Sequence, residues 1–255
     1  CTGSFRGPLR EPVTVVFVHG FLGGPGDWRE IAGQFPSSHS LMIPGGLGFD
    51  GTVGWLVRAV AQLPPPRTLV GYSMGGRLAL SAVIHAPGLV DGIVLESCHP
   101  GLEQPMERGN RAQLDMERSC QIRQNGTAAF VEQWYKATFW DSLRSDAEVF
   151  ERMVLRRREV SSYVASANIS QLSPGLMPCC WDALAEVSCP ALLIAGGLDH
   201  KYCELLRRAS DAMPNARLEI VQNAGHNVHL ERGQRYAQLL HRFIVGEAGH
   251  NASSQ

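Results

Sequence analysis

The 255-residue chain lacks an apolar run long enough to cross a bilayer. Its best candidate, 69–86, is interrupted by Gly75, Gly76 and Arg77, so stable membrane insertion is not expected. It also lacks a charge excess. A net charge of −1 gives no electrostatic reason to expect nucleic acid or an anionic surface as partner. The seven cysteines (1, 98, 120, 179, 180, 189 and 203) make an odd count with no C-x-x-C spacing. That speaks against a disulfide framework or a zinc ribbon and suits a reducing compartment. Three Asn-x-Ser/Thr triplets, at Asn125, Asn168 and Asn251, read as chance occurrences. No repeat, no long low-complexity segment and no signal peptide is visible within the given sequence. A start at cysteine is the mark of a mature or excised fragment.

What remains is ordinary for a globular enzyme, at 44% hydrophobic and 18% charged residues. The length suffices for one domain with a large insertion. "VTVVFVHG" (13–20) is β-branched and apolar and ends in glycine, as a buried parallel strand does. "SLMIPGG" (40–46), "RTLVGYS" (67–73), "DGIVLES" (91–97), "CPALLIAGG" (189–197) and "ARLEIVQ" (216–222) repeat that pattern. Between them, Val53, Leu56, Val57, Val60 and Leu63 fall at helical spacing before Pro64. Helices are expected at 74–86, 201–212 and 229–245 as well. Strands alternating with helices predict an α/β fold with a mostly parallel, doubly wound sheet. The stretch 101–180 breaks the alternation with charged, helix-spaced sequence. It is expected to form a helical lid over the sheet's carboxyl edge, where such sheets bind ligands. The boundaries follow: a flexible 1–12, a core of 13–100 and 181–245, the lid, and a disordered 246–255.

"GYSMG" (71–75) fits G-x-S-x-G, weak as a bare pattern but here flanked by a strand and a helix. Its glycines allow the strained turn that exposes the Ser73 hydroxyl, although a tight turn without chemistry has the same spelling. Asp199, after "LLIAGGL", and His226, after "IVQNAG", both follow strands, in the order serine, acid, histidine. Asp199 would fix the imidazole tautomer and His226 would take the serine proton. A helix N-cap is the other reading of Asp199. A metal between His226 and His229 is not expected, because no third ligand has suitable spacing; His229 more simply starts the last helix. "HGFLGG" (19–24) follows the first strand, so the backbone N–H groups of Phe21 and Met74 would form an oxyanion hole.

With HGF, GYSMGG, GLD and AGH in this order, the chain resembles the α/β-hydrolase superfamily from about residue 13 to 245. "VGYSMGGRLAL", "LESCHPGL", "ERGNRAQLD", "QWY" and "AGHNVH" resemble more narrowly the 2-succinyl-6-hydroxy-2,4-cyclohexadiene-1-carboxylate synthases of menaquinone and phylloquinone biosynthesis. The resemblance implies a lyase that removes a ring proton from a tricarboxylate substrate and expels pyruvate, with no cofactor and no metal. Ser73 would then be a general base. It also implies substrate contacts from Arg77, Arg111, Arg156, Tyr72 and Trp134, with Phe139 lining the pocket. Guanidinium forks suit carboxylates. A carboxylesterase or carbon–carbon bond hydrolase using the same triad as nucleophile is the alternative, and would have no need of the arginines.

Two departures stand out. The Pro-Gly-His-Gly-like turn usual after the second strand is "IPGGLG" here, and Ser97 and Cys98 replace two glycines before His99. The start and tail resemble a domain of a larger fused polypeptide, as in plastid enzymes of plants and algae. The expected location is therefore the plastid for a plant or algal source, and the cytoplasm otherwise.

Overall fold

The computed structural model describes residues 12–246. The expected flexible start and disordered tail lie outside these, apart from Pro12 and Gly246. β1 (Thr14–Val18) leads through α1 (Arg29–Ala32) to β2 (Ser38–Leu41) and α2 (Gly48–Ala61). β3 (Arg67–Tyr72), α3 (Met74–His85) and β4 (Gly92–Glu96) follow. Four α-helices among the described residues then precede β5 (Ala191–Gly196): α4 (Pro105–Trp134), α5 (Asp141–Arg144), α6 (Ala147–Arg158) and α7 (Ser162–Gln171). The chain closes with α8 (His200–Ala212), β6 (Ala216–Val221), α9 (Val228–Glu231) and α10 (Gly233–Val245).

Among the described residues the sheet has the order β2-β1-β3-β4-β5-β6, with every neighbouring pair parallel. After β2 the winding reverses: β3 returns to the far side of β1. That reversal opens a crevice at the carboxyl ends of β1 and β3, where open α/β sheets bind ligands. The strands are apolar throughout because both faces are covered. Val15 and Phe17 pack with Trp28 and α10 on one face, while Val16 and Val18 pack with α2 and α3 on the other. A third cluster lies among α4 to α7, where Ile122, Phe130, Val131, Met153 and Ile169 meet Leu22 from the loop after β1.

Two elements differ from the sequence expectation. The second strand stops at Leu41, because Pro44 has no N–H for the ladder and Gly46 turns the chain at φ +88°. The expected last helix is two, α9 and α10, divided at Arg232, whose backbone (φ −140°, ψ 50°) is not helical. Within α4, Gly126 at φ +80° breaks the helix and re-aims its last two turns towards α6.

Candidate active site

Ser73 joins β3 to α3 at φ +50°, ψ −108°, a conformation rarely open to residues with a side chain. Two glycines hold it there. A Cβ on Gly75 would lie 2.3 Å from the Val18 carbonyl oxygen, and one on Gly71 would lie 2.6 Å from that of Gly75. The Ser73 N–H donates to the Glu96 carbonyl at 2.8 Å, which ties the turn to the neighbouring strand.

β5 and β6 run in register up to Gly196 and Val221, so the loops that follow them leave the sheet side by side. The Leu198 N–H donates to Ala224 across the two loops at 2.9 Å. Glu231 accepts from the Gly225 N–H (2.8 Å) and the Asn227 N–H (3.2 Å), bracing the chain on both sides of His226. His226 Nδ1 lies 2.7 Å from Asp199 Oδ2, and its Nε2 lies 3.1 Å from Ser73 Oγ. An ionised carboxylate can only accept, so Nδ1 carries the proton and Nε2 is left to accept from the serine. Both readings of Asp199 hold together: its Oδ1 caps α8 by accepting from the Tyr202 N–H at 3.4 Å.

The loop after β1 is pinned by His19. Its Nδ1 donates to the Gly20 carbonyl at 2.7 Å, and its Nε2 accepts the Ile43 N–H at 3.1 Å. Burial lowers the His19 pKa, which favours the neutral ring this pattern requires. Phe21 from this loop and Met74 at the first position of α3 both line the cavity above Ser73. The first N–H groups of a helix have no partner within it, so the Met74 N–H is free to face a ligand.

That cavity measures about 630 Å³, the size of a site for a small organic ligand. One wall is aromatic, from Phe21, Phe130, Trp134, Phe139 and Trp140. The lining also carries Arg77, Arg111, Arg118, Lys201 and Arg157, with Asp115 the one acidic side chain among the described residues that line it. Phe139 and Tyr202 flank the His226 ring, with centroids 4.8 and 4.6 Å away, and Tyr72 lies beneath it at 5.5 Å. Arg77 is buried and donates to the Leu172 carbonyl at 2.8 Å. Burial lowers its pKa to about 10, opposed in part by Tyr202.

The residues singled out from sequence divide here. Ser73, Asp199 and His226 come together, and Tyr72, Arg77, Arg111, Trp134 and Phe139 share their cavity. Arg156 does not. It pairs with Asp27 at 3.2 Å and lines a separate small pocket with Arg29, Glu30 and Arg152. Consecutive helical residues point about 100° apart, and near the end of α6 it is Arg157 that turns inward. His229 does not start the last helix either. It lies in α9, and its Nδ1 and backbone N–H both donate to the buried Glu96. Sequence reading passed over Arg118, Arg157, Lys201 and Tyr202. Lys201 and Tyr202 were within reach of it, because a helix capped by Asp199 must carry its first turn into the site. Arg118 carried no local signal.

The model of the alpha/beta hydrolase family matches residues 15–239. A Serratia proteamaculans protein named 2-succinyl-6-hydroxy-2,4-cyclohexadiene-1-carboxylate synthase is 30% identical, over 91% of this chain and 92% of its own. The Arabidopsis thaliana protein named PHYLLO, chloroplastic, is 29% identical over 98% of this chain, which spans only 16% of that longer protein. Among solved structures, MenH from S. aureus superposes with a TM-score of 0.87 at 25% identity, covering 92% of this chain and 94% of that one. The chain belongs to the alpha/beta hydrolase family, in the branch that contains the 2-succinyl-6-hydroxy-2,4-cyclohexadiene-1-carboxylate synthases.

Proposed function

We propose that the protein eliminates pyruvate from 2-succinyl-5-enolpyruvyl-6-hydroxy-3-cyclohexene-1-carboxylate, leaving 2-succinyl-6-hydroxy-2,4-cyclohexadiene-1-carboxylate, in menaquinone or phylloquinone biosynthesis. The observation that carries this reading is the charge of the cavity. Four of its cations, Arg77, Arg111, Arg118 and Lys201, face a single lining carboxylate, Asp115, while the fifth, Arg157, is matched by Asp27. The excess of three positive charges complements a tricarboxylate, and a site for neutral esters would leave it unanswered.

In this reading His226 Nε2 takes the Ser73 hydroxyl proton, and the serine oxygen removes a proton from the ring carbon next to the succinyl ketone. The electron pair moves towards the ketone oxygen, where the Phe21 and Met74 N–H groups stabilise the charge. As the ring diene forms, the carbon–oxygen bond to the enolpyruvyl group breaks and pyruvate leaves as its enolate. The proton held by the triad replaces the one the enolate needs, so no water is consumed and no acyl-enzyme forms. Arg77, Arg111 and Arg118 grip carboxylates while the aromatic wall excludes water from the ring. No metal or cofactor enters the scheme. The Arabidopsis relative's length and name support a place within a larger plastid polypeptide, and the bacterial relatives fit a cytoplasmic one.

The test is to supply the enolpyruvyl substrate, made in situ, and to follow pyruvate and ring-diene absorbance together, with p-nitrophenyl acetate in parallel. Fast pyruvate release with negligible ester cleavage is expected, and Ser73→Ala should lower it by at least ~10³-fold while keeping substrate affinity. Ester cleavage without pyruvate would overturn the elimination and make Ser73 a nucleophile.

A further inference from the structure

Asp115 is the carboxylate that lies among the cavity's cations, and its position is unusual for an acid beside an anion site. Its side chain is 1% exposed. Both of its oxygens are engaged. Oδ2 accepts from Arg111 Nε at 2.7 Å and from Ser173 Oγ at 2.8 Å, and Oδ1 accepts from Arg118 NH1 at 2.9 Å. Ser173 Oγ in turn accepts from the Gly175 N–H at 3.1 Å, which settles the direction of its own hydroxyl towards Asp115. The residue before it, Leu172, supplies the carbonyl that holds Arg77 NH1 at 2.8 Å. Leu172 and Ser173, just past the end of α7, therefore act on three guanidinium groups of α3 and α4: Leu172 on Arg77 directly, and Ser173 on Arg111 and Arg118 through Asp115.

The division of atoms matters. Arg111 gives its Nε to Asp115, so its two terminal nitrogens remain for the cavity, and Arg118 gives one terminal nitrogen only. Arg118 is steadied from the other side by Trp134, with its guanidinium 4.9 Å from the ring centroid. Long side chains lose much rotamer freedom when a ligand fixes them. A buried acid that fixes them beforehand, and shares one negative charge between two forks, leaves the site both ordered and net positive.

We propose that Asp115, oriented by Ser173, is a positioning residue that sets the spacing of the Arg111 and Arg118 forks relative to Arg77, and so selects ligands with several carboxylates. The proposal rests on the anionic-substrate reading of the cavity given above. With both of its oxygens already engaged, Asp115 acts through the arginines.

The sign of one substitution separates positioning from simple electrostatics. Asp115→Asn removes a negative charge from the cavity, and charge alone predicts tighter anion binding. Positioning predicts weaker binding. We expect calorimetry with tricarballylate to show affinity lowered about 10- to 100-fold in Asp115→Asn, and binding of the smaller dianion succinate to change less. In kinetics, KM for the enolpyruvyl substrate should rise by a similar factor with kcat within about threefold, and Asp115→Glu should recover part of the loss. Ser173→Ala, which deletes a single hydroxyl and tests the same device should Asp115→Asn not fold, should weaken tricarballylate about 3- to 10-fold. The double variant should be no worse than Asp115→Asn, because both act on one unit. Unchanged or tighter tricarballylate binding in Asp115→Asn, or in Ser173→Ala where only that variant folds, overturns the proposal. A wild-type protein that releases no pyruvate would remove the elimination reading alone, and the calorimetric result would then decide the positioning role.

Discussion

Arg77 and Arg157 line the same cavity, are both buried, and belong to different halves of the molecule. Arg77 stands on α3 in the sheet core; its hydrogen bonds go to the Leu172 carbonyl and the Met177 sulfur, and no carboxylate pairs with it among the described residues. Arg157 stands on α6 in the helical segment, with Asp27 at 3.3 Å and a hydrogen bond to the Tyr135 hydroxyl. Burial alone would loosen either group's hold on its proton. For Arg77 that effect prevails and the pKa falls to about 10. For Arg157, Tyr135 and Asp27 more than offset it and raise the group above the ordinary arginine range. Asp27 responds in kind: burial would raise its pKa, but Arg157, then His229 and Arg156, hold it below the usual carboxylate range. One arginine has its charge answered by the protein, and the other has it open to a ligand. Burial and residue type do not distinguish them; the partner does.

If that distinction is right, the two alanine variants should fail in different ways. The larger effect should be Arg157→Ala, which leaves the buried Asp27 without its innermost partner and should cost on the order of 3–5 kcal/mol of stability in denaturant melts. A loss below about 1 kcal/mol would mean that Arg156 alone can answer Asp27, and the contrast would break. Arg77→Ala removes a cation that the fold leaves unanswered. It should raise KM for the anionic substrate about 10- to 100-fold, with a smaller change in stability than Arg157→Ala. Arg77→Lys should not restore KM fully, because an ammonium lacks the planar fork.

A finer test uses pH. With its pKa lowered to about 10, Arg77 loses charge as pH rises through that value, whereas Arg157 stays protonated. KM should therefore rise above about pH 10 in the wild type, and the rise should be smaller in Arg77→Ala. Stability responds with the opposite sign. Between about pH 10 and the ordinary arginine range, the unfolded chain holds the Arg77 proton more tightly than the folded one, so this group's contribution to stability grows with pH. A wild-type KM that is flat across pH 9–11 would remove the difference between the two arginines. This is the smallest of the expected effects.

Much of the fold and half of the site were legible in the chain. β-branched runs ending in glycine marked the strands, and the elbow around Ser73 needed its glycines for reasons of volume and backbone angle alone. Asp199 and His226 could be read because strand ends fall on one edge of a parallel sheet, so position along the chain converts directly into position at the site. The cavity-facing arginines obey no such rule. A helix offers every direction, and a one-residue error at the end of α6 exchanged Arg156, which faces Asp27 and a side pocket, for Arg157, which faces the cavity.

Sequence by itself therefore determined the parallel sheet, the strained serine turn and the order of the three residues that meet there. Backbone sterics and the period of a strand act locally, and a short stretch of residues is enough to express them. Tertiary structure alone decided which charges are spent within the protein and which are left for a ligand. Asp27 reaches Arg157 across 130 positions, and Ser173 reaches Asp115 across 58. Electrostatic pairing depends on distance in space and on the water excluded around it, and neither is written in the neighbourhood of any one residue.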